Sequence, residues 1–284
     1  MKKLLLLLAM FCCLQANAAK RGDVNGDNNV DVSDINIVIN EILGKGGTYN
    51  ADVNGDGTTD VSDINIVINI ILGKDTPEDD HEYVDLGLPG GVLWATCNVG
   101  ADKPEESGLY FAWGETKGYA KGESHSFDWA NYDLCNGSSS TMTKYCTSSS
   151  YGIVDNHSVL EAKDDAATAN WGAGWRMPTL QEIKDLYDSK YTTTEWVTVN
   201  GVSGRKITSK SNGNNIFLPA AGFRYVTSLS SEGSYGYYWS SSLYTYYSDN
   251  AYGLYFNSGG IDCASSNRYC GRSVRAVRVE KAKR

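Results

Sequence analysis

The chain has 284 residues, 41% of them hydrophobic and 21% charged, with a net charge of −9. An acidic chain without a basic patch argues against a nucleic-acid partner, and the length leaves room for a small module plus one domain of about 200 residues. The acidity is uneven: residues 21–80 hold 13 acids and 3 bases, whereas residues 81–284 hold 21 and 19.

Met1 to Ala18 reads as a signal peptide. Lys2 and Lys3 form its basic end, Leu4 to Leu14 its apolar run, and Ala16-Asn17-Ala18 an A-x-A cleavage site. The run is too short to span a bilayer, and Phe11 before Cys12 does not suit lipidation. No other stretch reaches spanning length, so the expectation is an exported protein without a transmembrane segment, secreted or held at the cell surface.

Asp23 to Gly44 reads DVNGDNNVDVSDINIVINEILG, and 29 residues later Asp52 to Gly73 reads DVNGDGTTDVSDINIVINIILG. A repeat of this kind identifies the structural unit. In the first copy Asp23, Asn25, Asp27, Asp31 and Asp34 stand at loop positions 1, 3, 5, 9 and 12; in the second Asp52, Asn54, Asp56, Asp60 and Asp63 do. This is EF-hand spacing, suited to a hard cation that gathers roughly six to eight oxygens. Asn29 and Thr58, at position 7, each add a backbone carbonyl. Asn28 and Gly57 occupy position 6, where the chain must turn left-handed. Two Ca2+ ions are therefore expected, one per loop. Behind the loops, Ile35, Val38, Ile39 and Ile42, and likewise Ile64, Val67, Ile68 and Ile71, follow helical spacing. Gly44 and Gly73 stop the helices. No helix precedes either loop.

The pair resembles the dockerin type I repeat over roughly Gly22 to Gly73. That resemblance implies a small all-α, calcium-dependent module that docks onto cohesin modules or another surface protein. Loop positions 10 and 11, used in partner choice in that family, are Val32-Ser33 and Val61-Ser62 here. Positions often basic in the family are Ile39-Asn40 and Ile68-Asn69, which makes the surface more apolar. Position 12 is Asp where an ordinary EF-hand has Glu. The near-identity of the copies allows two contact orientations related by a two-fold axis.

Lys74 to His81 (KDTPEDDH) reads as an acidic linker. The organisation expected is a signal peptide at 1–18, the repeat module at 19–74, a linker at 75–81 and a second domain at 82–284. In that domain Tyr83–Leu88, Val92–Val99 and Leu109–Trp113 read as strands, and residues 115–157 as long polar loops. Leu160–Asn170 reads as a short helix. Thr179–Asp188 is a stronger one, with Thr179 and Glu182 forming a capping box. Val197–Val199 and Arg205–Thr208 flank an Asn-Gly turn; Ile216–Leu218, Tyr237–Ser240, Ala251–Phe256 and Ser273–Val279 complete the strands.

EYVDLGLPGGVLWATCNVGA, GLYFAWGET, DDAATANWGAGWRMPT, IFLPAAGFR, GYYWSSS and GRSVRAVR resemble the Fibrobacter succinogenes major paralogous domain family. The resemblance implies a C-type lectin-like fold, shared with formylglycine-generating enzymes. The fold class expected is thus α+β: a small all-α repeat pair and a mixed domain of antiparallel sheet with short helices. The triplets through which C-type lectins bind sugar with calcium do not occur.

Chemistry-bearing residues are sparse. His81, His125 and His157 lie in a linker or loops, and Asp164-Asp165 reads as a helix start, so no catalytic constellation emerges. Five cysteines follow the signal peptide, and export favours disulfides: Cys135 with Cys146, and Cys263 with Cys270. Cys97 reads as a small core residue. Ser234 to Gly259 holds eight Tyr and six Ser, a composition suited to adaptable contacts and to stacking on sugar. Tyr244, Tyr246, Tyr247, Asp249, Asn250 and Arg268 are the candidate ligand-binding residues. The expectation is an exported, non-catalytic interaction protein that docks through one module and binds glycan or protein through the other. The alternative is a component of extracellular polysaccharide catabolism, as an enzyme or an enzyme subunit.

Overall fold

A computed structural model describes residues 21–47, 49–53, 58–72 and 81–279. The expected signal peptide, the linker up to residue 80, Asn54, Asp56, Gly57 and Gly73 lie outside them. The chain divides into two compact units, Met1–Thr76 and Pro77–Arg284.

The first unit holds helices α1 (Val32–Ile42) and α2 (Val61–Ile71). Asp31 starts α1 with a reciprocal cap: its carboxylate accepts from the Ser33 N–H, and its own N–H donates to Asp34. That arrangement satisfies N–H groups a helix start otherwise leaves unpaired. Past the helix, Gly44 takes φ +65° and its N–H returns to the Glu41 carbonyl. Val38, Val67 and Ala51 are buried, with Val24, Val30, Ile35, Val53 and Ile64 packed around them. Ile39, Ile42, Ile68 and Ile71 face outward, because a core of three side chains accepts only the innermost position of each helix.

The second unit is mixed, with mostly antiparallel sheets and few helices. Strands β1 (Tyr83–Asp85), β2 (Val92–Ala95), β3 (Trp175–Arg176) and β12 (Val277–Val279) form a sheet in the order β1-β2-β12-β3. The last strand of the unit thus pairs with its second, with Trp94 opposite Val277. Strands β4 (Thr192–Val199), β5 (Val202–Ser209) and β6 (Asn215–Pro219) make a meander, turning at Asn200-Gly201, where both residues have positive φ. Strands β7 (Phe223–Tyr225) and β8 (Ser228–Ser230) pair alone. Strands β9 (Tyr235–Leu243), β10 (Asn250–Asn257) and β11 (Gly260–Asn267) form the third antiparallel sheet, with β10 central.

Helix α3 (Ala166–Trp171) is capped by Asp165, which accepts from the N–H groups of Ala167 and Thr168 and also from Met177. Helix α4 (Leu180–Tyr187) has the expected Thr179–Glu182 box and buries Ile183 and Leu186. Two clusters fill the unit. One gathers Trp113, Trp175, Trp239 and Phe111; the other packs α4 on Trp94, Ile207, Tyr238 and Phe256.

Several expectations change. Tyr110–Trp113 is buried and Leu109 partly so, yet the segment is no strand and pairs through isolated bridges, Tyr110 with Tyr119 and Phe111 with Arg272. Strand β11 was not expected, because its sequence IDCASSN lacks apolar alternation; as an edge strand it needs none on its open face. Residues 273–276 are buried without being a strand. The five cysteines among the described residues are free thiols, so neither expected disulfide is present. Cys263 sits on β11 beside the Tyr187 hydroxyl in the α4 cluster, whereas Cys270 belongs to the other cluster. Cys135 and Cys146 share a cluster, but their thiols turn to the carbonyls of Trp129 and Ser148. Cys97 is half-buried rather than in the core.

Candidate functional site

In the first repeat loop the side-chain oxygens are held by the loop's own N–H groups. The Asp23 carboxylate accepts from Gly26, Asp27 and Asn28 at 2.8–3.0 Å. Asn25 accepts from the Asp27 N–H at 2.8 Å, and Asp27 from the Asn29 N–H at 2.8 Å. The curl is possible because Gly26 and Asn28 take φ +77° and +68°, the left-handed region in which Gly and Asn are the least strained. Asp34 closes the loop. It is fully buried and accepts from the N–H groups of Val24, Asn25 and Asp31 at 2.8, 3.0 and 2.9 Å.

The described part of the second loop repeats this closure. Asp63 is fully buried and accepts from Val53 at 2.8 Å and Asp60 at 2.9 Å. Asp52, Thr58 and Asp60 lie in the described part of the loop; Asn54 and Asp56 fall outside the described residues.

Between Gly22 and Gly44 there are five carboxylates, four of them in the loop itself, and no basic side chain. Backbone N–H groups offer partial charge only, so the loop retains a formal charge that a divalent cation would reduce by two. Its donors are all oxygen, carboxylate or amide, which fits calcium rather than a thiophilic metal. Among the described residues no three His, Cys, Asp or Glu side chains converge into a metal-holding group; the first-loop carboxylates face the N–H scaffold.

The expected docking residues are accessible. Val32 and Val61 are 62% and 63% exposed. Ser33 is exposed, with its hydroxyl donating to Asp31 at 2.6 Å; the Ser62 side chain lies outside the description. Sequence reasoning missed two further residues. Leu43 and Leu72, just past the helix ends, are 60% and 58% exposed. With Ile39, Ile68, Ile42 and Ile71 they give each helix a matched apolar outer face. The signal was present in the repeat itself, where every one of these positions is apolar in both copies.

In the second unit Tyr246 and Tyr247 are exposed. Tyr244 packs between them and the sheet, its ring centroid 5.7 Å from Tyr246, 5.6 Å from Tyr247 and 5.1 Å from Tyr252. Asp249 Oδ1 and Asn250 Oδ1 are buried acceptors without a hydrogen-bond partner, and burial raises the Asp249 carboxyl above its ordinary value. Arg268 does not join this surface. It is fully buried, lies over Trp113 at 4.8 Å, and donates to the Tyr132 hydroxyl and to the carbonyls of Lys144, Tyr145 and Ser248. A guanidinium with five fixed donors suits such a knot of loop carbonyls, so Arg268 supports the tyrosine loop from beneath.

Glu115 is buried, and its carboxyl accepts from the Asp133 N–H at 2.9 Å. Desolvation pushes its carboxyl up to about 7, against the smaller lowering by that N–H.

Residues 21–72 match the family model of the dockerin type I domain. Residues 183–277, from within α4 to the start of β12, match a domain of unknown function, DUF8237. No curated protein and no solved structure matches the chain.

Proposed function

We propose that this is an exported, non-catalytic docking protein whose repeat pair binds two calcium ions and attaches the second domain to a cohesin-like partner. The observation that carries this reading is the duplication of both halves of the site. Each described loop closes on a fully buried Asp, Asp34 or Asp63, and each helix turns the same apolar positions outward. Calcium would be held by Asp23, Asn25, Asp27, Asp31 and Asp34 with the Asn29 carbonyl, and by Asp52, Asn54, Asp56, Asp60 and Asp63 with the Thr58 carbonyl. The bound ion supplies the positive charge that lets each acidic loop stay folded at the head of its helix.

Val32, Ser33, Val61 and Ser62 then form the partner contact, extended by Leu43 and Leu72. A surface that presents the same apolar set twice can engage in either of two orientations. The second domain, read as C-type lectin-like on its sequence motifs, would present Tyr246 and Tyr247 to a glycan or protein ligand, with Asp249 and Asn250 as acceptors and Arg268 as the support.

Purified cohesin modules, immobilised and presented with the full chain in calcium or in chelator, test the docking half. The expected result is capture in calcium alone. Val32→Asp or Val61→Asp singly should weaken capture only a few-fold, because the other orientation remains, and the double substitution should abolish it. Capture by none of the cohesins in calcium would overturn the docking reading.

A further inference from the structure

The β9–β10 hairpin has a second end, opposite the Tyr244–Asn250 turn. There Trp196 of β4, Ser203 of β5, Ser234, Tyr235, Asn257 and Ser258 line an open cleft of about 580 Å³. That size lies in the usual range for small-molecule sites, roughly 300–1,000 Å³.

Its two aromatic walls are fixed. The Trp196 indole meets Phe256 edge to face, with centroids 6.4 Å apart. Tyr235 stacks on Tyr237 at 6.1 Å and on Tyr255 at 5.8 Å, with interplanar angles of 23° and 25°. The floor is equally set. Asn257 Oδ1 accepts from the N–H groups of Gly259 and Gly260, and its amide donates to the Tyr255 hydroxyl at 3.0 Å. Beneath it, the buried Arg205 donates to the Asn257 carbonyl at 2.8 Å. Rings and amides already held in place lose little conformational freedom when a ligand arrives.

The chemistry of the lining narrows the ligand. No acidic or basic side chain faces the cleft, so a charged ligand would lose hydration without gaining a counter-charge. Three serine hydroxyls stand between two aromatic surfaces, ready to exchange hydrogen bonds with a ligand that is itself rich in hydroxyls. A pyranose has this character, with apolar C–H faces for the rings and hydroxyls at its edge. We infer that the Trp196–Tyr235 cleft is a binding site for neutral saccharide. It is separate from the Tyr246–Tyr247 surface and independent of calcium docking.

The test is calorimetric titration of the full chain in calcium with neutral xylo-, cello- and manno-oligosaccharides, with oligogalacturonate as the acidic counterpart and a neutral peptide of similar size. The expected result is binding of at least one neutral oligosaccharide and neither of the others. Ser258→Trp, a change at an exposed position that fills the cleft without removing core packing, should weaken binding on the order of tenfold or more, as should Trp196→Ala. Binding by no neutral oligosaccharide, preference for the peptide or the acidic sugar, or affinity untouched by Ser258→Trp would each overturn the proposal. Loss of binding in Tyr246→Ala with retention in Ser258→Trp would overturn it in favour of the loop surface. Chelator should leave saccharide binding intact while abolishing cohesin capture, so the two readings can fail separately.

Discussion

The two units are held together by different physics. Among its described residues the repeat module fully buries the apolar side chains of Val38, Ala51 and Val67, with Val24, Val30, Ile35, Val53 and Ile64 only partly covered, while each described loop buries a carboxylate. The second unit buries Trp94, Trp113, Trp175 and Trp239 almost completely and adds a buried guanidinium, Arg268, as a hub for its loops. A module of about fifty residues with so small a core lies where folded domains usually need a metal or a cross-link. A unit of about two hundred residues with two aromatic clusters does not. The contrast predicts that calcium controls the fold of the module and not that of the second unit.

The largest expected effect breaks the chain along that line. Calcium removal should abolish the helical signal of the module, because ligand binding there is folding free energy. The second unit's thermal transition should not move. Circular dichroism and calorimetry, with chelator and with calcium restored, would show two transitions of which only one responds. Helical signal and both transitions unchanged by chelator would show that the loops fold on their N–H scaffold alone.

The next effect lies wholly in the second unit. Arg268→Met removes the donor to the Tyr132 hydroxyl and to the carbonyls of Lys144, Tyr145 and Ser248. Burying those acceptors unpaired should cost on the order of 3–5 kcal/mol. Chemical denaturation should show the loss in the calcium-insensitive transition. A loss below about 1 kcal/mol would mean that the loops are held by packing and not by this guanidinium.

The same contrast explains how far the sequence could be read. The dockerin-like repeat is legible because its motif positions fall within 12 consecutive residues, and a spacing of that kind carries its geometry with it. The capping Asp165 and the Thr179–Glu182 box were visible for the same reason. What distant segments assemble was not. Arg268 looked like a surface residue because nothing near it in sequence shows that the 132–145 loop closes over it. Cys263 and Cys270 look pairable at a separation of seven residues, yet the sheet divides them between two clusters. The saccharide cleft takes one wall from β4 and the other from β9, so no window of sequence contains it. Ile39 and Ile42 fit a helical stripe, but periodicity cannot say how much of the stripe a small core will cover.

The smallest effect sharpens the comparison through pH. Calcium binding requires ionised carboxylates, so the module should weaken as the solution is acidified. Glu115 makes the second unit respond in the opposite sense. Its folded carboxyl is raised to about 7, above the roughly 4.3 of an unfolded Glu. The proton is therefore held more tightly in the folded state. The stability this contributes is complete below about pH 4.3 and is lost as pH rises through 7, by at most roughly 4 kcal/mol. Glu115→Gln keeps an oxygen for the Asp133 N–H and removes the titration. Relative to the parent chain it should be more stable at pH 8 by roughly 1–3 kcal/mol and no more stable at pH 4. A difference independent of pH would show that the carboxyl ionises in the folded unit without penalty, and that the unit opens there to water.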